Sequence, residues 1–289
     1  MAAMALHGVL RKYPQQSESG AAHPRKPQEQ IVKAGALFDV SGRVALVTGA
    51  SSGLGLHFAE LLAENGASIA LVARRADRLS ALAATIAKAG GRALAVPADV
   101  CDRAAMGRAF DSVERAFGVA DILINNAGVV HAHRILDLPE EEWRRVLGTN
   151  LDAVFFCAQE AARRMIAAGK TGTIVNIASV AGFGATKGVA AYSVAKAGVV
   201  AVTKSLALEL AGKGIRVNGI APGWIVTDLN RDYLASERGA ALLREIPLGR
   251  FGEERDLDGA LLLLVSDAGR YMIGTTIVAD GGQLIALRG

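Results

Sequence analysis

The hydrophobic pattern of the chain changes character at Arg43, where short wholly apolar runs begin to alternate with longer stretches of helical periodicity. The apolar runs are Val44–Val47, Ile69–Val72, Ala93–Val96, Ile122–Ile124, Thr173–Ala178, Ile215–Ile220 and Thr276–Val278. Their length and continuous apolar character predict strands buried on both faces. Between them, Leu56–Glu64, Asp77–Lys88, Arg103–Phe117, Glu140–Ala168, Ala191–Ala211 and Leu257–Leu264 read as helices. Seven strands alternating with helices predict an α/β protein with a doubly wound, seven-stranded parallel sheet and helices on both faces. No second domain and no internal repeat is visible. Residues 1–38 carry Pro14, Pro24 and Pro27 among polar residues without sustained periodicity and read as a flexible extension, leaving 39–289 as a single domain.

Composition narrows the class. Hydrophobic residues make up 51% of the 289 residues, yet the apolar run Ala260–Val265 is far too short to span a bilayer and no other segment is long enough. The net charge of +4 suggests a basic surface until it is located: residues 1–38 hold five basic against two acidic residues, leaving only +1 on the other 251. A basic tail on an ordinary body gives no support to nucleic-acid binding. Cys101 and Cys157 form no metal or disulfide spacing, so a reducing compartment, the cytoplasm, is expected, and no metal site.

Candidate chemistry begins at the first strand–helix turn, Thr48-Gly49-Ala50-Ser51-Ser52-Gly53-Leu54-Gly55. Glycines there permit positive φ and let a diphosphate approach the backbone, while the helix N-terminus offers free N–H groups. The spacing is not the G-x-G-x-x-G fingerprint, and a tight turn without a ligand is the bland alternative. The second strand ends in Ala73-Arg74-Arg75. An acid at Ala73 would bind both ribose hydroxyls of NAD; Arg74 instead offers a guanidinium to the 2′-phosphate of NADP, unless Arg74 and Arg75 merely open a solvated helix. Asp99, with Val100 beside it, either accepts from an adenine amino group or caps the following helix. Asn125-Asn126-Ala127-Gly128 suits a polar turn against a cofactor, and Asn150 is an amide in a helical stretch, placed to bend it or to hold a water.

The remaining chemistry centres on Ser179–Lys196. Tyr192 and Lys196 are four apart and share one helix face, and Ser179 follows an apolar strand. A phenol of pKa near 10 needs about 4 kcal/mol to titrate near neutrality. An ammonium about 5 Å away supplies roughly 3 kcal/mol at an effective dielectric near 20, so Lys196 is expected to supply most of that shift.

Taken in register, these motifs resemble the basic single-domain short-chain dehydrogenase/reductase family over residues 39–289. The matches are Thr48-Gly49-x-x-x-Gly53-x-Gly55, Asn125–Gly128, Asn150, Ser179, Tyr192-x-x-x-Lys196, Pro222-Gly223 and Asp280-Gly281-Gly282. The resemblance implies a Rossmann-type fold and hydride transfer between a nicotinamide cofactor and a carbonyl or secondary alcohol. It makes Tyr192 the general acid/base and Ser179 the holder of the substrate oxygen. Lys196 binds the nicotinamide ribose and tunes the phenol, and Asn150 anchors a relay water. Gly49, Ser51, Ser52, Gly53, Leu54 and Gly55 cradle the cofactor, with Asn126, Ala127 and Gly128 opposite. Pro222, Gly223 and Ile225 meet the nicotinamide, and Thr227 reaches its carboxamide or a phosphate. Ser52 departs from the pattern, since many NADP-preferring members carry Arg or Lys there; NADP stays favoured through Arg74, with NAD possible. A homotetramer is also implied.

Residues 226–247 occupy the place of a mobile substrate lid, and Phe183, Trp224, His131 and His133 are candidates to line or border the pocket. Both chain ends look like bacterial members that oxidise sugar acids or polyols, such as gluconate 5-dehydrogenases. The alternative is a 3-oxoacyl carrier-protein (or CoA) reductase, for which Arg163, Arg164 and Lys213 could dock an acidic partner, although Phe156 stands where that subfamily's docking arginine is expected. A catalytically retired NADP-binding scaffold would be marked by loss of Tyr192 or Lys196; both are present.

Overall fold

In the computed structural model, which describes residues 32–228 and 230–286, the seven expected strands pair into one wholly parallel sheet. The strands are β1 (Val44–Thr48), β2 (Ser68–Ala73), β3 (Arg92–Pro97), β4 (Ile122–Asn125), β5 (Gly172–Ile177), β6 (Ile215–Pro222) and β7 (Thr276–Ala279). Their order is β3-β2-β1-β4-β5-β6-β7, so the winding reverses between β1 and β4. The crossovers from β1 and β4 leave toward opposite sides there, and their carboxyl ends open a crevice suited to a ligand.

The crossover helices are α1 (Gly53–Glu64), α2 (Ala76–Lys88), α3 (Arg103–Phe117), α4 (Glu140–Leu147), α5 (Ala153–Ala167), α6 (Ala190–Leu210) and α7 (Asp258–Val265). Strand alternation feeds two apolar layers. Ala45 and Val47 of β1 face Phe58 and Leu62 of α1, Leu79 of α2 and Leu261 of α7. Val44 and Leu46 face Phe110 of α3, Met165 of α5 and Ala207 of α6 on the other side. Sandwiching explains why β1, β2, β4 and β5 are buried at every position and read as unbroken apolar runs.

Two departures from the sequence expectation concern helices. The stretch expected as one helix over 140–168 is broken by a π-helical turn, Gly148–Asp152, between α4 and α5. Its centre, Asn150, is fully buried and bonds outside the helix, which the side-chain pattern does not reveal. The polar insertion after β6 holds two short helices, Arg231–Leu234 and Glu237–Leu243. Of the expected extension, residues 1–31 lie outside the described residues, and Ala34–Leu37 form one helical turn. Among the described residues no helix is long and apolar enough to cross a membrane, and no group of three or more His, Cys, Asp or Glu is placed to hold a metal ion.

Candidate active site

The β1–α1 turn is locked from below. Thr48 Oγ1 donates to Ile124 O (3.2 Å) and accepts from the backbone N–H groups of Asn126 (3.0 Å) and Ala127 (3.1 Å). Asn126 Nδ2 donates to Thr48 O at 3.0 Å, so the two strand ends at the switch point are cross-bonded. Gly49 and Gly53 adopt positive φ, +70° and +53°. A Cβ on Gly55 would fall 2.3 Å from Gly49 O, so only glycine lets α1 start this close to the turn.

Above the turn lies a cleft of about 700 Å³. Its walls include Gly49, Ser51, Ser52, Gly53 and Leu54 from the turn, and Arg74 and Arg75 from the end of β2. Asp99, Val100, Asn126, Ala127, Gly128 and Thr227 complete its lining. Thirteen predicted cofactor residues thus line one cleft. Arg75 reaches across to donate to Ser51 Oγ (2.8 and 3.1 Å) and Ser52 Oγ (2.6 Å), which fixes both hydroxyls. Arg74 is exposed and enters no ion pair among the described residues, so its guanidinium is free for an anion. Asp99 does not cap the next helix: its Oδ1 accepts from Cys101 N, and Asp102 caps instead through Ala105 N (2.9 Å).

Asn150 stands behind Gly128. Its Oδ1 accepts from Val129 N and its Nδ2 donates to Val129 O, both at 2.8 Å, so the side chain pairs with both backbone groups of one residue as a neighbouring strand would. Of the two sequence alternatives, the amide therefore spends itself on backbone, and the π turn is the accompanying distortion of the helix.

Ser179, Tyr192 and Lys196 meet beyond the end of β5, outside the cleft's wall. The backbone of Gly182 lies against α6 at Lys196, where a Cβ would come within 2.7 Å, and this contact brings Ser179 to the helix. Ser179 Oγ accepts from Ala181 N (3.1 Å) and lies close enough to the Tyr192 phenol to pull its pKa down. Lys196, 4% exposed, donates from Nζ to Ile177 O at 2.6 Å and lies 5.6 Å from the Tyr192 ring centroid.

Burial raises the Tyr192 pKa above its usual value and the Ser179 hydroxyl offsets this only in part. Lys196 is desolvated as well, which pulls its own pKa down to about 8.

Pro222 and Gly223 end β6 against the Asp280-Gly281-Gly282 turn: a Cβ on Gly223 would lie 2.7 Å from Asp280 Cα, and Asp280 accepts from the N–H groups of Gly282 (2.8 Å) and Leu284 (2.7 Å). Ile225, 7% exposed, bridges to Gly252 and lines a separate small cavity instead of the cleft. Val129, Arg144, Arg145 and Thr149 line the cleft without having been singled out from the sequence. Arg144 and Arg145 pair with Glu140 and Glu142 on the exposed side of α4, a pattern that signals only a solvated helix.

Comparison with known proteins agrees with this geometry. A family model described as enoyl-(acyl carrier protein) reductase matches residues 49–283. The chain is 40% identical to 3-oxoacyl-[acyl-carrier-protein] reductase FabG of Staphylococcus aureus, over 83% of this chain and 97% of that protein. It is 37% identical to gluconate 5-dehydrogenase of Gluconobacter oxydans, over 87% of this chain and 98% of the relative. The crystal structure of a gluconate 5-dehydrogenase from Burkholderia cenocepacia in complex with NADP and tartrate superposes with a TM-score of 0.84 at 36% identity, covering 88% of this chain and all of that one. The chain belongs to the short-chain dehydrogenase/reductase family of oxidoreductases.

Proposed function

We propose that the protein interconverts a small ketone and a secondary alcohol, of the sugar-acid or polyol kind, with NADP as the preferred cofactor. The observation that carries this reading is the convergence of Ser179 on Tyr192, with Lys196 pinned beside the ring. A cofactor fits the residues present: a glycine cradle at a helix N-terminus, two fixed serine hydroxyls and a free Arg74 for the 2′-phosphate. When bound, NADP(H) supplies or accepts the hydride. Tyr192 then gives or takes the proton at the carbonyl oxygen, Ser179 holds that oxygen, and Lys196 keeps positive charge beside the phenol. Asn150 holds the π turn behind them, leaving backbone carbonyls of that turn for a relay water.

The same reading makes residues 39–289 the catalytic domain, 226–247 its lid and 1–38 an extension. It gives the protein a homotetramer, supported by exposed apolar Ile166, Leu208 and Val278 on α5, α6 and β7. Steady-state assays with sugar acids, polyols and ketones and both cofactors test the reading; a lower kcat/KM with NADP(H) than with NAD(H) would overturn the cofactor preference.

The second reading, a 3-oxoacyl reductase, is favoured by the Staphylococcus aureus relative. Against carrier-protein docking, Arg164 is already held by Asp111, Glu114 and Glu160 at 2.7–3.0 Å, so this face presents carboxylates around its arginine. Activity on acetoacetyl-CoA with none on sugar acids would reverse the order.

A further inference from the structure

His131 is the only buried histidine among the described residues, at 5% exposure, and the reaction scheme above does not use it. It leaves the loop after Gly128 and reaches the first turn of α6, 60 residues away. Both ring nitrogens face backbone donors: Ala191 N–H points at Nε2 and His133 N–H at Nδ1, each at 3.2 Å. A neutral imidazole offers one lone pair and an imidazolium none. The two donors are not equal. His133 N–H also donates to Gly188 O at 3.1 Å, whereas Ala191 lies in the first helical turn, where amides have no carbonyl within the helix. The N-cap residue, Val189, makes no side-chain capping bond. The single lone pair is therefore needed at Nε2, with the ring proton on Nδ1.

We propose that His131 is a positioning residue, whose neutral imidazole caps the helix carrying Tyr192 and Lys196 and ties it to the loop leaving the cofactor cleft. This rests on the reading of Tyr192 as the acid–base group, since the cap sits one residue before it. Protonation removes the acceptor and adds a positive charge at a helix N-terminus, both unfavourable. Around the ring, Glu142 of α4 favours the charged form, while Arg145 of α4 and His133 of the same loop oppose it. On α6 stand Tyr192 and, a turn further, Lys196. Burial is the largest influence and holds the His131 pKa below its ordinary value. The folded pKa is thus depressed, so the cap's contribution is complete above about pH 6.5 and is lost on acidification through the folded pKa.

The test compares wild type, His131→Gln and His131→Leu by amide exchange over residues 190–196, by cofactor binding and by kcat across pH. Glutamine presents an acceptor that cannot titrate; leucine fills the space without one. At pH 7.5 the leucine variant should exchange about ten-fold faster at 190–193 and lose about ten-fold in kcat, with cofactor Kd within about two-fold. Wild type should show the same losses on acidification through the depressed folded pKa, and the glutamine variant should lack that acid limb. A leucine variant with wild-type exchange and kcat, or a glutamine variant with an unchanged acid limb, overturns the proposal. Should the leucine variant not fold, the comparison of glutamine with wild type across pH decides alone. Normal turnover in Tyr192→Phe would remove the acid–base reading, while amide exchange still tests the cap.

Discussion

The ammonium of Lys196 donates to the carbonyl of Ile177 at 2.6 Å, joining the second turn of α6 to the last residue of β5. Ser179 follows Ile177 by two residues and Tyr192 precedes Lys196 by one turn, so a single bond holds both partners of the phenol in register. It is also expensive: moving the lysine pKa from 10.5 to about 8 corresponds to roughly 3 kcal/mol against the charged form.

Lys196→Met should therefore stabilise the protein while disabling it. Because the folded pKa is depressed, the penalty applies at neutral pH and fades as pH rises from about 8 toward 10.5. The variant is expected to melt about 2–5 °C higher at pH 7 and to lose at least about a hundred-fold in kcat/KM. Thermal melts at pH 7 and pH 10 check the sign, since the gain should shrink at the higher pH.

Tyr192→Phe should keep cofactor affinity and lower turnover by about a thousand-fold or more. Removing the Ser179 hydroxyl takes away the group that lowers the phenol pKa, so Ser179→Ala should move the rising acid limb of the alcohol-oxidation profile, where the phenol deprotonates, to higher pH. A limb that stays in place or moves to lower pH would show that Ser179 does not tune the phenol.

Arg74 and Arg75 should separate in their effects. Arg74→Ala is expected to raise KM for NADP by about 10- to 100-fold, with little change for NAD. Arg75→Ala frees Ser51 and Ser52 and should weaken both cofactors. Equal losses for both cofactors in Arg74→Ala would dismiss it as the phosphate selector.

Asn150→Leu would strand the N–H and C=O of Val129 behind the cleft. The expected loss is about 2–4 kcal/mol of stability, read as a lower denaturation midpoint in urea. Asn150→Asp keeps the acceptor for Val129 N–H but leaves its C=O unmatched, and should lose less.

The sequence by itself determined the fold and named most of the residues that line the cleft. Strands buried on both faces must be apolar throughout, which made β1, β2, β4 and β5 legible; the edge strands β3 and β7 are only partly buried, yet their short apolar runs also fell within a residue or two of the observed ends. Glycine spacing carried the β1–α1 turn, because positive φ and close approach leave few alternatives to glycine. What only the tertiary structure decided depends on contacts between residues far apart in the chain. Asn150 was visible as an odd amide, but its pairing with Val129 needed the loop after β4 packed on α4. Spacing placed Lys196 beside the phenol but could not report the burial that raises the phenol pKa and lowers the lysine's. His131 was legible only as a pocket-border candidate; its partner is 60 residues on, and burial together with one lone pair decides what it does.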